Sequence, residues 1–250
     1  MPAGGGSTRI LAIDAGPEDH GAVEMSAPRY TLKADPFSSH SVILEWLAEG
    51  QGRRLLDVGA ADGLLSRHLA ARGWKVTGIE ADPAMAAAGA AHCERMLVAD
   101  LNRGVPLLDG LFDTIVCGDV LEHLADPTGV LRVLVRALAP GGEVVVSVPN
   151  VAHLWVRLSL LAGRFDYAER GILDRTHLRF FTRRTLDELL AAAGLHAIGR
   201  ATTPVPLYQV VAERWHGRAL AAAHAVSAAA ARALPRVLGY QFVVRARRRA

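Results

Sequence analysis

Cysteine is nearly absent. Cys93 and Cys117 are the only two in 250 residues, with no CxxC pair between them. That excludes a disulfide framework and the usual zinc spacings, and makes a reducing cytoplasm the natural setting. An excess of one charge is also missing. Lys and Arg number 28 against 25 Asp and Glu, a net +3, too balanced for nucleic-acid binding to be the main task. No apolar run reaches the roughly 18 residues that a spanning helix needs. The nearest approach, "RALAAAHAVSAAAARAL" (218–234), is rich in alanine and broken by Arg and His, so it reads as a water-exposed helix. The opening "MPAGGGSTR" has no charged stretch leading into an apolar one, and no signal peptide is expected.

What the chain does have is 51% hydrophobic residues, ample for one large core. Residues 1–29 are rich in Gly, Pro, Ala and Ser and are expected to be flexible, apart from a short strand at "ILAIDAG" (10–16). Residues 30–250 read as a single domain. A helical pattern through "SHSVILEWLAEG" ends at Gly50, and then elements alternate. "RLLDVG", "KVTGIEA", "RMLVADL", "FDTIVCGD" and "EVVVSVPN" read as strands, with helical segments between most of them; "DPTGVLRVLVRALAPGG" reads as a helix closed by Pro-Gly-Gly. Short apolar strands alternating with helices predict a parallel sheet covered on both faces. The rhythm breaks at 151–181, an insert mixing a short helix with a loop of Arg, Asp and aromatics. "TRRTLDELLAAAG" then opens on a Thr cap, and "LHAIGRATT" and "YQFVVRAR" read as the last strands.

The first strand runs into "DVGAADG", with Gly59 and Gly63 where backbone could approach a ligand without Cβ interference. A dinucleotide fingerprint is G-x-G-x-x-G. Here Ala61 replaces the middle glycine and Asp62 would set a negative charge beside phosphates. Both features suit a ligand bearing an ammonium and a carboxylate. Glu80 ends the second strand, where an acid can accept from ribose hydroxyls. Asp100 ends the third, where it could accept from an adenine amino group. Asp119 ends the fourth. In open α/β sheets ligands bind at the carboxyl ends of the strands, so Asp57, Gly59, Glu80, Asp100 and Asp119 are expected on one rim.

"LLDVGAADG", "GIEADP", "VADL", "DVLEHL" and "LAPGGEVVVSVPN" stand in order at fitting intervals. Together they resemble class I S-adenosylmethionine-dependent methyltransferases, closely over 55–150 and more loosely to the end. The resemblance implies a Rossmann-like, doubly wound, seven-stranded α/β sheet, mostly parallel with a last antiparallel strand. It implies S-adenosyl-L-methionine as cofactor, held by Asp57, Gly59, Ala60, Gly63, Glu80, Ala81, Asp100, Leu101, Asp119 and Val120. "DPFSSHSVILEWL", "VPNVAH" and "GRFDYAERGILDRTHLRFFT" are also similar to bacterial methyltransferases that accompany glycosyltransferases. That narrower likeness implies O-methylation of a sugar, glycan or glycolipid precursor, with a glycosyltransferase or the inner face of a membrane as neighbour.

A hydroxyl acceptor needs a base. The candidates are His153 after strand five, His177 in the insert and His123 in "DVLEHL", each with a hydrogen-bonded structural role as the alternative. Asp174, His177 and Glu122 are expected to form ordinary salt bridges with Arg170, Arg175 and Arg179, so no metal is assigned. The segment 154–163 reads as a lid helix or, with the basic tail at 245–249, as a membrane contact. N- or C-methylation, a non-catalytic binding module and an NAD-dependent oxidoreductase are the competing readings, the last disfavoured by the G-x-x-x-G turn.

Overall fold

The computed structural model describes residues 35–249. The expected flexible segment 1–29 and the strand at 10–16 lie outside them. Seven strands form one sheet: β1 (Arg54–Val58), β2 (Lys75–Glu80), β3 (Arg95–Val98), β4 (Phe112–Gly118), β5 (Leu138–Pro149), β6 (Leu195–Thr203) and β7 (Gln241–Arg248), in the order β3-β2-β1-β4-β5-β7-β6. β1 to β5 pair in parallel, while β7 runs antiparallel to both β5 and β6. The helices are α1 (Ser39–Trp46), α2 (Leu64–Ala70), α3 (Pro83–Gly89), α4 (Pro127–Arg136), α5 (Leu154–Leu161), α6 (Arg183–Ala192), α7 (Leu207–Val210), α8 (Arg218–Ala233) and α9 (Pro235–Leu238).

The central strands β1, β2, β4 and β5 are mostly apolar and buried because both faces of the sheet are covered there. Successive side chains point to opposite faces. Leu56, Ile115, Val144 and Val146 join the core under α4 and α6, whose Leu131, Leu134, Leu186 and Leu190 are buried there. Leu55, Val116 and Val145 face the other core, built with Ile43 and Leu44 of α1 and Leu65 and Leu69 of α2. Burying each such Leu or Ile contributes about 1.5–3 kcal/mol. A third, small cluster of Val156, Ile172 and Leu173 gives the insert its own core, packed against Tyr240.

Three expectations are corrected. α1 stops at Trp46, not at Gly50; the Leu47 carbonyl instead accepts from the Trp74 indole at 3.1 Å. Pro-Gly-Gly does not close α4. The helix ends at Arg136, Leu138 already pairs with Phe112, and the Pro-Gly-Gly lies inside β5 where the register with β4 shifts. The basic tail is in large part strand, with Arg247 to Arg249 left exposed. Arg245 to Arg248 belong to β7, where Arg245 pairs with Glu143 at 2.9 Å and Arg248 donates to the Leu138 carbonyl.

Candidate active site

Chain order reverses between β1 and β4, which are neighbours at the middle of the sheet. The crevice outside the carboxyl ends of strands at such a point is the usual ligand site. The loops that leave these two strands touch. Gly59 has φ +70, and a Cβ on it would collide with Val120 Cγ2. Gly63 has φ +77, and its Cβ would meet the Gly89 Cα of α3 at 2.9 Å. Both glycines therefore answer to left-handed backbone and close packing within the chain. Between them Ala61 is also left-handed, at φ 49, a conformation that strains any residue with a Cβ. It occupies the position where the fingerprint has a glycine.

Glu80 holds this turn. Its Oε2 accepts from the Ala61 N–H at 2.9 Å, and its Oε1 accepts from Ala81 and Asp82 at 2.8 and 2.9 Å. Asp57 lies beneath the turn and is 3% exposed. Ser66 of α2 donates to its Oδ2 at 2.6 Å. Burial, only partly offset by that hydrogen bond, pushes its carboxyl up to about 6. Ala60 and Leu101 are likewise buried. Asp100 is half-exposed, and its Oδ1 accepts from the Asn102 N–H at 2.9 Å. The Asn102 side chain then ties the loop after β3 to that after β4, accepting from Ala125 at 2.8 Å and donating to the His123 carbonyl at 3.2 Å. Asp119 has φ 55, held by the Ser147 hydroxyl, which donates to its Oδ1 at 2.6 Å and accepts its N–H at 3.1 Å. Within the turn, Asp62 Oδ1 is buried with no partner. These acidic groups fit a ligand with an ammonium group and free hydroxyls, and fit a pyrophosphate poorly.

The three histidines divide. His123 and His177 meet, ring centroids 4.9 Å apart at 69°. Both Nδ1 atoms lie by carbonyls, His177 by Ile172 at 3.1 Å and His123 by Thr176 at 3.3 Å. A carbonyl only accepts, so each Nδ1 carries the proton and each Nε2 keeps its lone pair. His153 is the reverse. It caps α5, its Nδ1 accepting from the Trp155 N–H at 3.2 Å, and stacks edge-on against Tyr240. Its one free lone pair is thus engaged, and it lines a cavity with Leu154, Val205 and Leu238. Burial lowers the His153 pKa. It also lowers that of His177, against the raising effect of the Ile172 carbonyl.

Glu122 completes this cluster. It is 1% exposed, and neither carboxylate oxygen has a hydrogen-bond partner. Burial, then the nearby Asp119 charge, pushes its pKa well above the usual carboxylate range. Its backbone carbonyl accepts from Leu178 and Arg179 at 2.8 and 2.9 Å, which pins the insert to the end of β4. The expected salt bridges are not formed. Arg175 pairs with Glu169, Arg179 donates to the Ala125 carbonyl, and the Asp174 carboxylate accepts from Thr176. Arg175 and Arg179 turn to these partners and leave Glu122 with the histidines. Sequence reasoning missed Ser66, Asn102, Ser147 and the Gly63–Gly89 contact; only the position of each polar residue near a strand end or turn signalled it.

Residues 31–198, well over half of the chain, match a family described as a methyltransferase domain. The chain belongs to this family. The chain is 33% identical over 154 residues to the ubiquinone biosynthesis O-methyltransferase of Psychrobacter arcticus, covering 57% of this chain and 59% of that protein. It is 36% identical over 135 residues to the protein of the same name from Xanthomonas euvesicatoria, covering 50% and 54%. The chain thus spans little more than half the length of these curated relatives. Among solved structures it shares its fold with the [4+2]-cyclase SpnF (TM-score 0.57, 22% identity, 84% and 80% covered). It also shares it with the magnesium protoporphyrin IX methyltransferase of Synechocystis, solved with bound SAH (TM-score 0.56, 16% identity, 84% and 82% covered). The seven-stranded sheet with one antiparallel strand is the fold that the sequence motifs imply. The narrower likeness to glycosyltransferase-associated enzymes is not what these relatives are named for.

Proposed function

We propose that the methyltransferase carries a methyl group from S-adenosylmethionine to a hydroxyl of a small-molecule acceptor. When bound, the cofactor supplies a methyl already electrophilic on its sulfonium, so the chain's own work is to orient the acceptor and remove its proton. Glu80, Asp100, Asp119 and the unpartnered Asp62 Oδ1 are the acceptor-rich groups for the cofactor's ammonium, ribose and adenine. The observation that carries the O-methyl reading is the His123–His177 pair with buried Glu122, adjoining Asp119 at the end of β4. We place proton removal there and not at His153, whose lone pair caps α5. The names of the relatives favour a ring hydroxyl as acceptor. An edge-to-face chain of aromatics, His177–Phe180–Phe165–Tyr167, with centroids 6.2, 5.8 and 5.5 Å apart, leads away from the cluster and fits a ring of that kind. A sugar or glycolipid acceptor is the second reading, favoured by the exposed faces of Phe165 and Tyr167. Radiolabelled methyl transfer to a panel of phenols, catechols, glycan precursors, amines and carbon acceptors tests both. Label in phenolic products is expected; label only in amine or carbon products would overturn the hydroxyl assignment.

A further inference from the structure

We infer that the cleft between α5, α6 and α9 binds a phosphate or diphosphate group carried by a small soluble molecule. The inference goes beyond the proposed function, since the cleft shares no residue with the crevice at the ends of β1 and β4. Its volume is about 490 Å³, within the range of small-ligand sites. It opens past the end of β5, where Asn150 bridges to Phe181; Ala152 and Thr182, a little further along each segment, line its wall. Phe180, beside that bridge, stacks against His177 with centroids 6.2 Å apart. The cleft therefore lies on the same edge of the sheet as the histidine cluster.

Four arginines line the cleft against two acids, and both acids are already engaged. Arg184 pairs with Glu188 at 2.6 Å, and Arg200 of β6 pairs with Asp187 at 2.7 Å. Arg157 of α5, Arg183 of α6 and Arg236 of α9 are left over. Among the described residues, no carboxylate lies within salt-bridge reach of these three. Carbonyls hold Arg157 in place, accepting from its Nε at Ala152 (2.6 Å) and from its Nη2 at Arg236 (3.5 Å), so its orientation is fixed while its charge is not offset. Arg183 Nε is buried with no hydrogen-bond partner, and a buried donor of this kind calls for an acceptor. Burial, then the nearby Arg200 charge, lowers the Arg183 pKa; Arg236 adds to this against the raising effect of Asp187. Like charges are thus gathered where a bound anion would relieve their repulsion.

Guanidinium forks from three separate elements match the several oxygens and double charge of a phosphate group better than the two oxygens of a carboxylate. Ala152 and Ala191 leave an apolar wall for the rest of the molecule.

The test is calorimetric titration of the full chain, with neither methyl donor nor acceptor present, in about 0.15 M salt to screen exposed charges. The probes are inorganic pyrophosphate, glucose 1-phosphate and glucose. Binding of the first two is expected, with glucose silent. Arg157→Gln, Arg183→Gln and Arg236→Gln should each weaken pyrophosphate binding by about tenfold or more. Arg183→Lys, which keeps the charge and loses the fork, should fall between the native chain and Arg183→Gln. Arg72→Gln removes an exposed charge just before β2, at the opposite edge of the sheet, and should bind as the native chain does. Circular dichroism identifies any variant that fails to fold; Arg157 and Arg236 are exposed, so their variants keep the test decisive if Arg183→Gln is lost. A native chain that binds neither phosphate probe, site variants that bind as the native does, or an equal loss in Arg72→Gln would overturn the inference. So would sedimentation of the chain with phosphatidate vesicles without pyrophosphate binding, which would make the cleft a membrane contact. None of the probes is a methyl donor, so either outcome leaves the methyltransferase reading standing.

Discussion

Two residues of the first turn make the strongest single-position predictions. Ala61 sits at φ 49, where a Cβ costs about 1–2 kcal/mol and a glycine would pay back part of that in unfolded-state entropy. Ala61→Gly should therefore stabilise the fold by about 0.5–1 kcal/mol, read as a higher urea midpoint; an equal or lower midpoint would contradict the strain. Asp57 is the second. Its folded carboxyl titrates near 6 against an ordinary 3.8, so the folded state binds the proton more tightly than the unfolded one. Its contribution to stability is thus fully present below about pH 4 and is lost as pH rises through about 6, a change of ~3 kcal/mol. Asp57→Asn should flatten the stability profile between pH 4 and 7 and raise stability at pH 7. Parallel profiles for the two proteins would show that Asp57 does not carry this term.

At the scale of elements, one side chain reinforces the junction between the late antiparallel strand and the parallel sheet, beside the β5–β7 ladder itself. Asn150, fully buried at the end of β5, donates from Nδ2 to the Gly239 carbonyl at 2.8 Å and accepts the Ala152 N–H at 3.0 Å. It thereby sets the approach to β7 and the turn into α5 together. Asn150→Ala leaves both backbone groups without a partner and should cost about 1–3 kcal/mol. Amide exchange at 239–244 should rise; unchanged stability would mean that the β5–β7 ladder alone fixes the junction. The alternation of strands and helices was legible because apolar runs bounded by turns announce themselves locally, and the Thr182 cap of α6 did so too. The α4–β5 boundary was not, because a Pro-Gly-Gly that ends a helix and one that bulges a strand differ only in the pairing partner.

For the molecule as a whole, the rim was legible in the sequence as acids at the ends of successive strands, since strand order alone brings them together. The histidine division was not. His123, His153 and His177 look alike in sequence; only the carbonyls beside two of them and the helix capped by the third separate their lone pairs. The left-handed turn that Gly59 and Gly63 form was legible as a pair of glycines between strand and helix, but what they meet, Val120 and Gly89, is tertiary packing. The central claim is that this crevice takes S-adenosylmethionine and no dinucleotide. Calorimetric titration of the chain with S-adenosylmethionine and with NAD, repeated on Glu80→Ala, tests it most directly. The account predicts one S-adenosylmethionine per chain, no heat with NAD, and binding weakened in the variant by about 1–3 kcal/mol, roughly 5- to 150-fold. NAD binding without S-adenosylmethionine binding, or equal donor affinity in both proteins, would contradict it.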